Sequence, residues 1–170
     1  TDGIIDGINT PLALIGIAEK GYVSMELTST SEAGHSSMPG SSTAIGKLAG
    51  AINRIERKQM EPVLTEPVKS FFRFIGPELP GKDRFILSNV DLLSSTILNQ
   101  FIKNPITASM VRTSVAPTVI NSGFKSNVLP SFGTAVLNFR LLHGNSFAEV
   151  EEYLYHTVND TDITIEIFNE

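Results

Sequence analysis

Between Tyr22 and Ser29 the chain places Val23, Met25 and Leu27 on one side and Ser24, Glu26 and Thr28 on the other. A period of two with one apolar face suits a half-buried strand and no helix, so this stretch constrains the fold more than any other. After a Gly/Ser loop the period lengthens. A helix capped by Ser41 or Ser42 and running through Arg57 would carry Ile45, Leu48, Ala49, Ile52 and Ile55 in one apolar stripe. Period two returns from Thr113, where Val115, Pro117, Val119 and Asn121 alternate with Ser114, Ala116, Thr118 and Ile120, and again over Thr134–Leu142. Pro117 has no N–H to give a ladder, which predicts an edge strand or a bulge. Ser146-Phe147-Ala148-Glu149 is a capping box opening a helix with Phe147, Val150, Leu154 and Val158 inward, and Ile163, Ile165 and Ile167 form a last strand. With 1–20 and 68–109 set aside, the order is β-α-β-β-α-β. It predicts an α/β (α+β) ferredoxin-like two-layer sandwich, with both helices on one face of a four-stranded antiparallel sheet and a helical insertion.

The insertion at about 68–109 reads as two helices, Val68–Ile75 and Arg84–Ile102, separated by Gly76-Pro77-Glu78-Leu79-Pro80-Gly81. Leu92, Leu93, Ile97, Phe101 and Ile102 leave the second one apolar over a broad side that must pack on something. At the other end, 12–17 is an apolar run without alternation, readable as a buried strand whose sheet lies in another domain. Composition narrows the function classes. A formal net charge of −5 with no basic run disfavours nucleic acid. The apolar stretches are too short for a membrane span, and zero cysteines exclude thiolate zinc sites and thiol redox chemistry. The chain starts at Thr1, as a fragment or processed product does, so localisation is not legible in it.

Three side chains stand out for chemistry. His35 lies in Ala33-Gly34-His35-Ser36-Ser37-Met38-Pro39, between a strand and a helix N-terminus, where an imidazole can donate to a carboxylate or a developing oxyanion. The competing reading is a loop histidine tied to a carbonyl. No His, Asp or Cys stands near it at ligand spacing, and Glu32 alone makes no metal site. Asn127, in Gly123-Phe124-Lys125-Ser126-Asn127-Val128-Leu129-Pro130, can orient a substrate carbonyl or carboxylate, or bond its own turn. Arg140 falls on the less apolar side of its strand, where its fork could grip a carboxylate or pair with Glu26 next door. His143, beside a turn, and His156, late in a helix, have weaker settings. There is no Gly-x-Ser-x-Gly elbow, marked carboxylate pair or phosphate loop.

Glu19-Lys20-Gly21-Tyr22, Gly34-His35-Ser36-Ser37-Met38-Pro39, Asn121 through Pro130, and Asn138-Phe139-Arg140 occur in that order. Together they resemble the lid, or dimerisation, domain of the M20 zinc metallopeptidases, with the strongest likeness to the carboxypeptidase S and N-acyl-amino-acid hydrolase branch. The resemblance implies that 1–18 is a linker or strand leaving a separate catalytic domain and that 19–170 is the lid, with 68–109 an enlarged insertion. It implies two zinc ions in that other domain and no cofactor on this fragment, which alone would be inactive. It also implies that His35 stabilises an oxyanion, commonly in a partner copy's active site, that Asn127 hydrogen-bonds substrate, and that Arg140 holds its free carboxylate, with Gly123 in the adjoining loop. Its partners would be the catalytic domain of the same chain, a small carboxylate-bearing substrate, and a second copy through edge strand 113–122 and a helix. Pro117 and the insertion both interrupt such pairing, so the isolated domain is expected to self-associate weakly or not at all. The alternative is a ferredoxin-like module that senses a small molecule or binds a protein.

Overall fold

A computed structural model describes residues 13, 15, 16 and 19–169. Its elements are β1 (Gly21–Thr30), β2 (Gly34–His35), α1 (Ala44–Arg57), α2 (Glu66–Ile75), α3 (Gly81–Ser88), α4 (Ser94–Phe101), α5 (Pro105–Val111), β3 (Ser114–Ser122), β4 (Val128–Leu129), β5 (Phe132–Leu141), α6 (Phe147–Val158) and β6 (Ile163–Ile167). They fall into two compact units. One gathers Gly21–Met60, Thr113–Leu141 and Asn145–Glu170, and the other Glu61–Arg112 and Leu142–Gly144 with the residues described before Gly21. Half of the run at 12–17, read above as a strand, lies outside the described residues.

The first unit is the ferredoxin-like sandwich. Its antiparallel sheet has the order β3-β5-β1-β6, with β3 and β6 at the edges. Register pairs Met25 with Leu137 and Leu27 with Ala135 across β1 and β5, and with Ile167 and Ile165 across β1 and β6. Leu48, Ala51 and Ile55 of α1 and Val150, Leu154 and Val158 of α6 join these residues in one core, so both helices cover the same face. Each fully buried Leu, Ile or Phe in it is worth about 1.5–3 kcal/mol relative to exposure. The α1 cap is Thr43, whose hydroxyl accepts from Gly46 N–H at 3.1 Å, and neither Ser41 nor Ser42. The stripe is correspondingly rotated: Ala44 and Ala51 are buried, whereas Ile45 and Ala49 are exposed. The N-terminal turn of α1 is held by buried Ser29, whose hydroxyl donates to Ala44 O at 2.7 Å, while Ser31 Oγ accepts from Ala44 N–H at 2.9 Å.

Strand β3 carries both consequences expected of Pro117: it lies at an edge, and its register with β5 shifts between Pro117 and Val119. One residue too many in β3 reverses the alternation beyond it. Val115 and Pro117 share the core-side register with Ile120 and Ser122, while Val119 and Asn121 fall on the opposite face with Ser114 and Ala116. The simple alternation read from sequence therefore holds only as far as the bulge.

The second unit is helical. Leu64, Phe72, Ile75, Leu79, Val90, Ile97 and Val111 form its core, and Phe72 meets Phe101 edge-on at 5.1 Å. Gly76 is required where the chain leaves α2, because a Cβ there would stand 2.6 Å from the Ser88 nitrogen. The expected single helix Arg84–Ile102 is broken. Asn89 caps α3 and donates from its side chain to Phe85 O at 2.7 Å, and buried Val90 follows before α4 starts at Ser94. A further short helix, α5, is set by Asn104 as cap and Pro105 at its first position. Arg73 reaches Glu66 at 2.6 Å and Asp91 at 2.9 Å, tying α2 to the turn after α3. No helix among the described residues is long and apolar enough to cross a membrane.

Candidate functional site

His35 and Asn127 come together through a device of only four residues. β2 and β4 pair antiparallel, Gly34 opposite Leu129 and His35 opposite Val128, so that Asn127 lies directly beside the paired segment. Ser36 N–H closes the contact by donating to Asn127 O at 3.2 Å. This small ribbon is led in by the ends of β1 and β5, where Thr30 pairs with Phe132 and Ser31 N–H donates to Ser131 O at 2.9 Å. Both side chains are exposed. Gly123, on the loop that carries Asn127, has φ of 72°, with nothing within 4 Å of where a Cβ would stand. Glycine adopts this left-handed conformation without the cost an L side chain incurs.

The imidazole is oriented by its own loop. Ser37 N–H donates to His35 Nδ1 at 3.3 Å, and Ser37 Oγ lies 3.0 Å from the same nitrogen. A backbone N–H can only donate, so Nδ1 is the acceptor and the neutral ring carries its proton on Nε2. That tautomer leaves Nε2–H as a donor for an incoming oxygen. Met38 N–H donates to His35 O at 3.0 Å, closing the turn. Beside the ribbon lies a groove of about 350 Å³, lined by Ser31, Glu32, Gly34, Met38, Ser41 and Lys47 among others. Lys47 is engaged there with Asp162 at 2.6 Å and Thr30 O at 2.9 Å.

Arg140 is not brought to this group. It sits opposite Tyr22 on β1, eight residues along β5 from Phe132, which is roughly 27 Å of extended strand from the point where the ribbon begins. Its guanidinium lies 4.8 Å from the centroid of the Tyr22 ring, and the Tyr22 hydroxyl is 3.0 Å from Ser24 Oγ. Glu26 is opposite Val136 and so is not its cross-strand neighbour. The face that carries Arg140 is the one away from the helices, as the alternation indicates. One copy of the chain thus presents His35 and Asn127 at one end of the sheet and the Arg140 guanidinium at the other. A dipeptide, extending at most about 7 Å, cannot touch both.

Sequence reading misses the β2–β4 ribbon and the roles of Ser37 and Tyr22. Two-residue strands are too short to show a period, and the one available signal is Val128-Leu129, an apolar pair inside a turn-like segment. Among the described residues no group of three or more His, Cys, Asp or Glu side chains could hold a metal ion. The residues present therefore do not fit either zinc ion, and no step is assigned to a metal on this chain.

The sequence profile of the M20 peptidase dimerisation domain matches residues 17–165. The N-fatty-acyl-amino acid synthase/hydrolase PM20D1 of Xenopus tropicalis is 36% identical over 169 residues, covering 99% of this chain and 33% of that protein. A probable carboxypeptidase S-like 2 of Dictyostelium discoideum is 35% identical over 162 residues, 95% of this chain and 31% of that protein. The chain thus spans about a third of the length of the relatives it matches. Among solved structures, the aminobenzoyl-glutamate utilization protein of Klebsiella pneumoniae shares the fold with a TM-score of 0.52 at 11% identity, over 88% of this chain and 28% of that one. Human carnosine dipeptidase 1 does so with a TM-score of 0.50 at 13% identity, over 87% and 36%. The chain belongs to the M20 peptidase family, as a dimerisation, or lid, domain related to the carboxypeptidase S and N-acyl-amino-acid hydrolase branch.

Proposed function

We propose that this chain is the lid and substrate-binding domain of a longer M20 hydrolase that cleaves N-acyl amino acids, or small peptides, bearing a free carboxylate. Residues 1–18 connect it to a catalytic domain, and the two zinc ions of the family belong to that domain. Within the lid, His35 Nε2–H donates to the oxyanion that forms when water adds to the scissile amide. The Asn127 amide holds the substrate beside it, on a loop that Gly123 allows to turn. Arg140 grips the free carboxylate through its planar fork, with the Tyr22 ring against the guanidinium. Donors placed where charge develops act after the lid closes and water has left, when each hydrogen bond is strongest.

The observation that carries this reading is the juxtaposition of His35 and Asn127 by the β2–β4 ribbon, with Ser37 fixing the tautomer that makes Nε2 a donor. The distance to Arg140 is accommodated if the three groups serve one substrate from two copies of the chain, the donor pair from one and the guanidinium from the other. The test is hydrolysis by the full-length, zinc-loaded protein of N-acyl amino acids and dipeptides beside their carboxyl-amidated counterparts. Free acids are expected to be cleaved and amides to be poor substrates. Equal turnover of both would remove the role given to Arg140, and no turnover of any would remove the function.

A further inference from the structure

The helical unit contains a cavity of about 430 Å³ whose walls include Pro67, Val68, Phe71, Met110 and Leu142. It is distinct from the groove at the ribbon, and the reaction described above does not use it. Its volume falls within the roughly 300–1,000 Å³ of small-molecule sites, and mostly apolar walls with a few polar groups are the usual composition of such sites. The polar groups here are Thr65, Ser109, Glu19, His143 and Lys20. Lys20 donates to Arg112 O at 2.7 Å, so its ammonium is anchored beside apolar surface. Burial lowers its pKa from the ordinary lysine value, which means that its charge is poorly solvated. A carboxylate would add one more acceptor to the partners the ammonium already has, and the apolar part of the wall suits an aliphatic chain.

We propose that this cavity binds a long-chain fatty acid, its alkyl chain against Val68, Phe71 and Met110 and its carboxylate at Lys20. The proposal rests on the reading that N-acyl amino acids are the substrates, since hydrolysis of a fatty-acyl amide releases such an acid. The site would then hold the acid released by the reaction.

The test is displacement of a dansylated undecanoic acid from the full-length protein by oleate, followed by fluorescence. Oleate is expected to compete, with affinity rising about two- to fourfold per methylene along a series of shorter acids. Val68→Trp, which fills the cavity, and Ser109→Trp at its polar margin are each expected to weaken oleate by about tenfold or more, with the melting temperature reporting that they fold. Lys20→Met is expected to weaken oleate and leave methyl oleate unchanged. Parent-like oleate binding by both folded tryptophan variants would overturn the proposal, as would N-oleoylglycine binding much more tightly than oleate. Hydrolysis of N-oleoyl amino acids, measured on the same proteins, separates the two claims. Turnover with oleate binding unaltered in the variants sinks the cavity and leaves the function standing, and loss of oleate binding in the variants without turnover by the parent does the reverse.

Discussion

Replacing His35 by alanine in the full-length protein should separate catalysis from folding. The side chain is exposed on a two-residue strand, and its hydrogen bonds stay within its own loop, to Ser37 N–H at 3.3 Å and Ser37 Oγ at 3.0 Å. Both of these groups belong to an exposed residue and would turn to water, so stability should change by no more than about 0.5 kcal/mol. If Nε2–H meets the oxyanion, its loss removes a donor that acts in the transition state, which costs roughly 2.7–4 kcal/mol, or about 10²–10³ in kcat. Because a group used mainly in the transition state lowers kcat and kcat/KM together, KM should stay near the parental value. The His35→Gln variant restores a side-chain donor and should recover part of the loss, whereas Ser37→Ala keeps the backbone N–H that fixes the tautomer and should cost less than about tenfold. Steady-state kinetics with zinc content matched across variants is the assay, with thermal melts alongside. A His35→Ala protein with full zinc and kcat within a factor of about three of the parent would refute the donor role.

Other consequences can be checked independently. Arg140→Ala should lower kcat/KM by roughly 10–100-fold, mainly through KM, and Arg140→Lys should recover little because the ammonium lacks the fork; substrate saturation curves for the three proteins decide it. Three bonds hold the Glu149 carboxyl below the ordinary glutamate range, first the Ser146 N–H at 2.6 Å, then Asn145 and the Ser146 hydroxyl. A depressed carboxyl stabilises the fold above its unfolded pKa of about 4.3, and the contribution disappears as pH falls through the lower folded value. Glu149→Gln should therefore melt below the parent at neutral pH and converge with it in acid, and a gap that persists in acid by calorimetry would contradict the capping argument. The isolated domain should sediment as a monomer at low micromolar concentration, because the β3 edge is interrupted at Pro117 and Thr118, so that the pairing a shared site needs requires the full-length protein; a stable dimer there would show that the bulge does not blunt pairing.

The sandwich was legible because each of its long elements repeats its period several times: Val23, Met25 and Leu27 on β1, and Val150, Leu154 and Val158 on α6, reach the core as their spacing implies. The errors cluster where one residue decides the outcome. A bulge at Thr118 turns Val119 away from the side Val115 faces, and sequence periodicity has no means of counting an inserted residue. Asn89 ends a helix that the apolar pattern would continue, since a broad apolar side is shared by one long helix and two short ones packed on a common core. Of the candidate residues, His35, Asn127 and Gly123 were conspicuous for their loops, and the sheet face of Arg140 followed from alternation. Their mutual placement was not legible. It depends on pairing Gly34-His35 with Val128-Leu129, a long-range contact between segments too short to carry a pattern.

The separation of Arg140 from His35 and Asn127 makes the central claim directly measurable. Full-length His35→Ala and Arg140→Ala proteins are mixed over a range of protein concentrations and assayed with an N-acyl amino acid held well below the parental KM, where each variant alone is weakly active. If one copy supplies the donor pair and the other the guanidinium, mixed pairs contain one intact site of two. Activity should then rise with concentration toward about a quarter of the parental value at equal, random mixing. Activity that never exceeds the sum of the two variants alone, at concentrations where the parent is paired and active, would contradict the shared site.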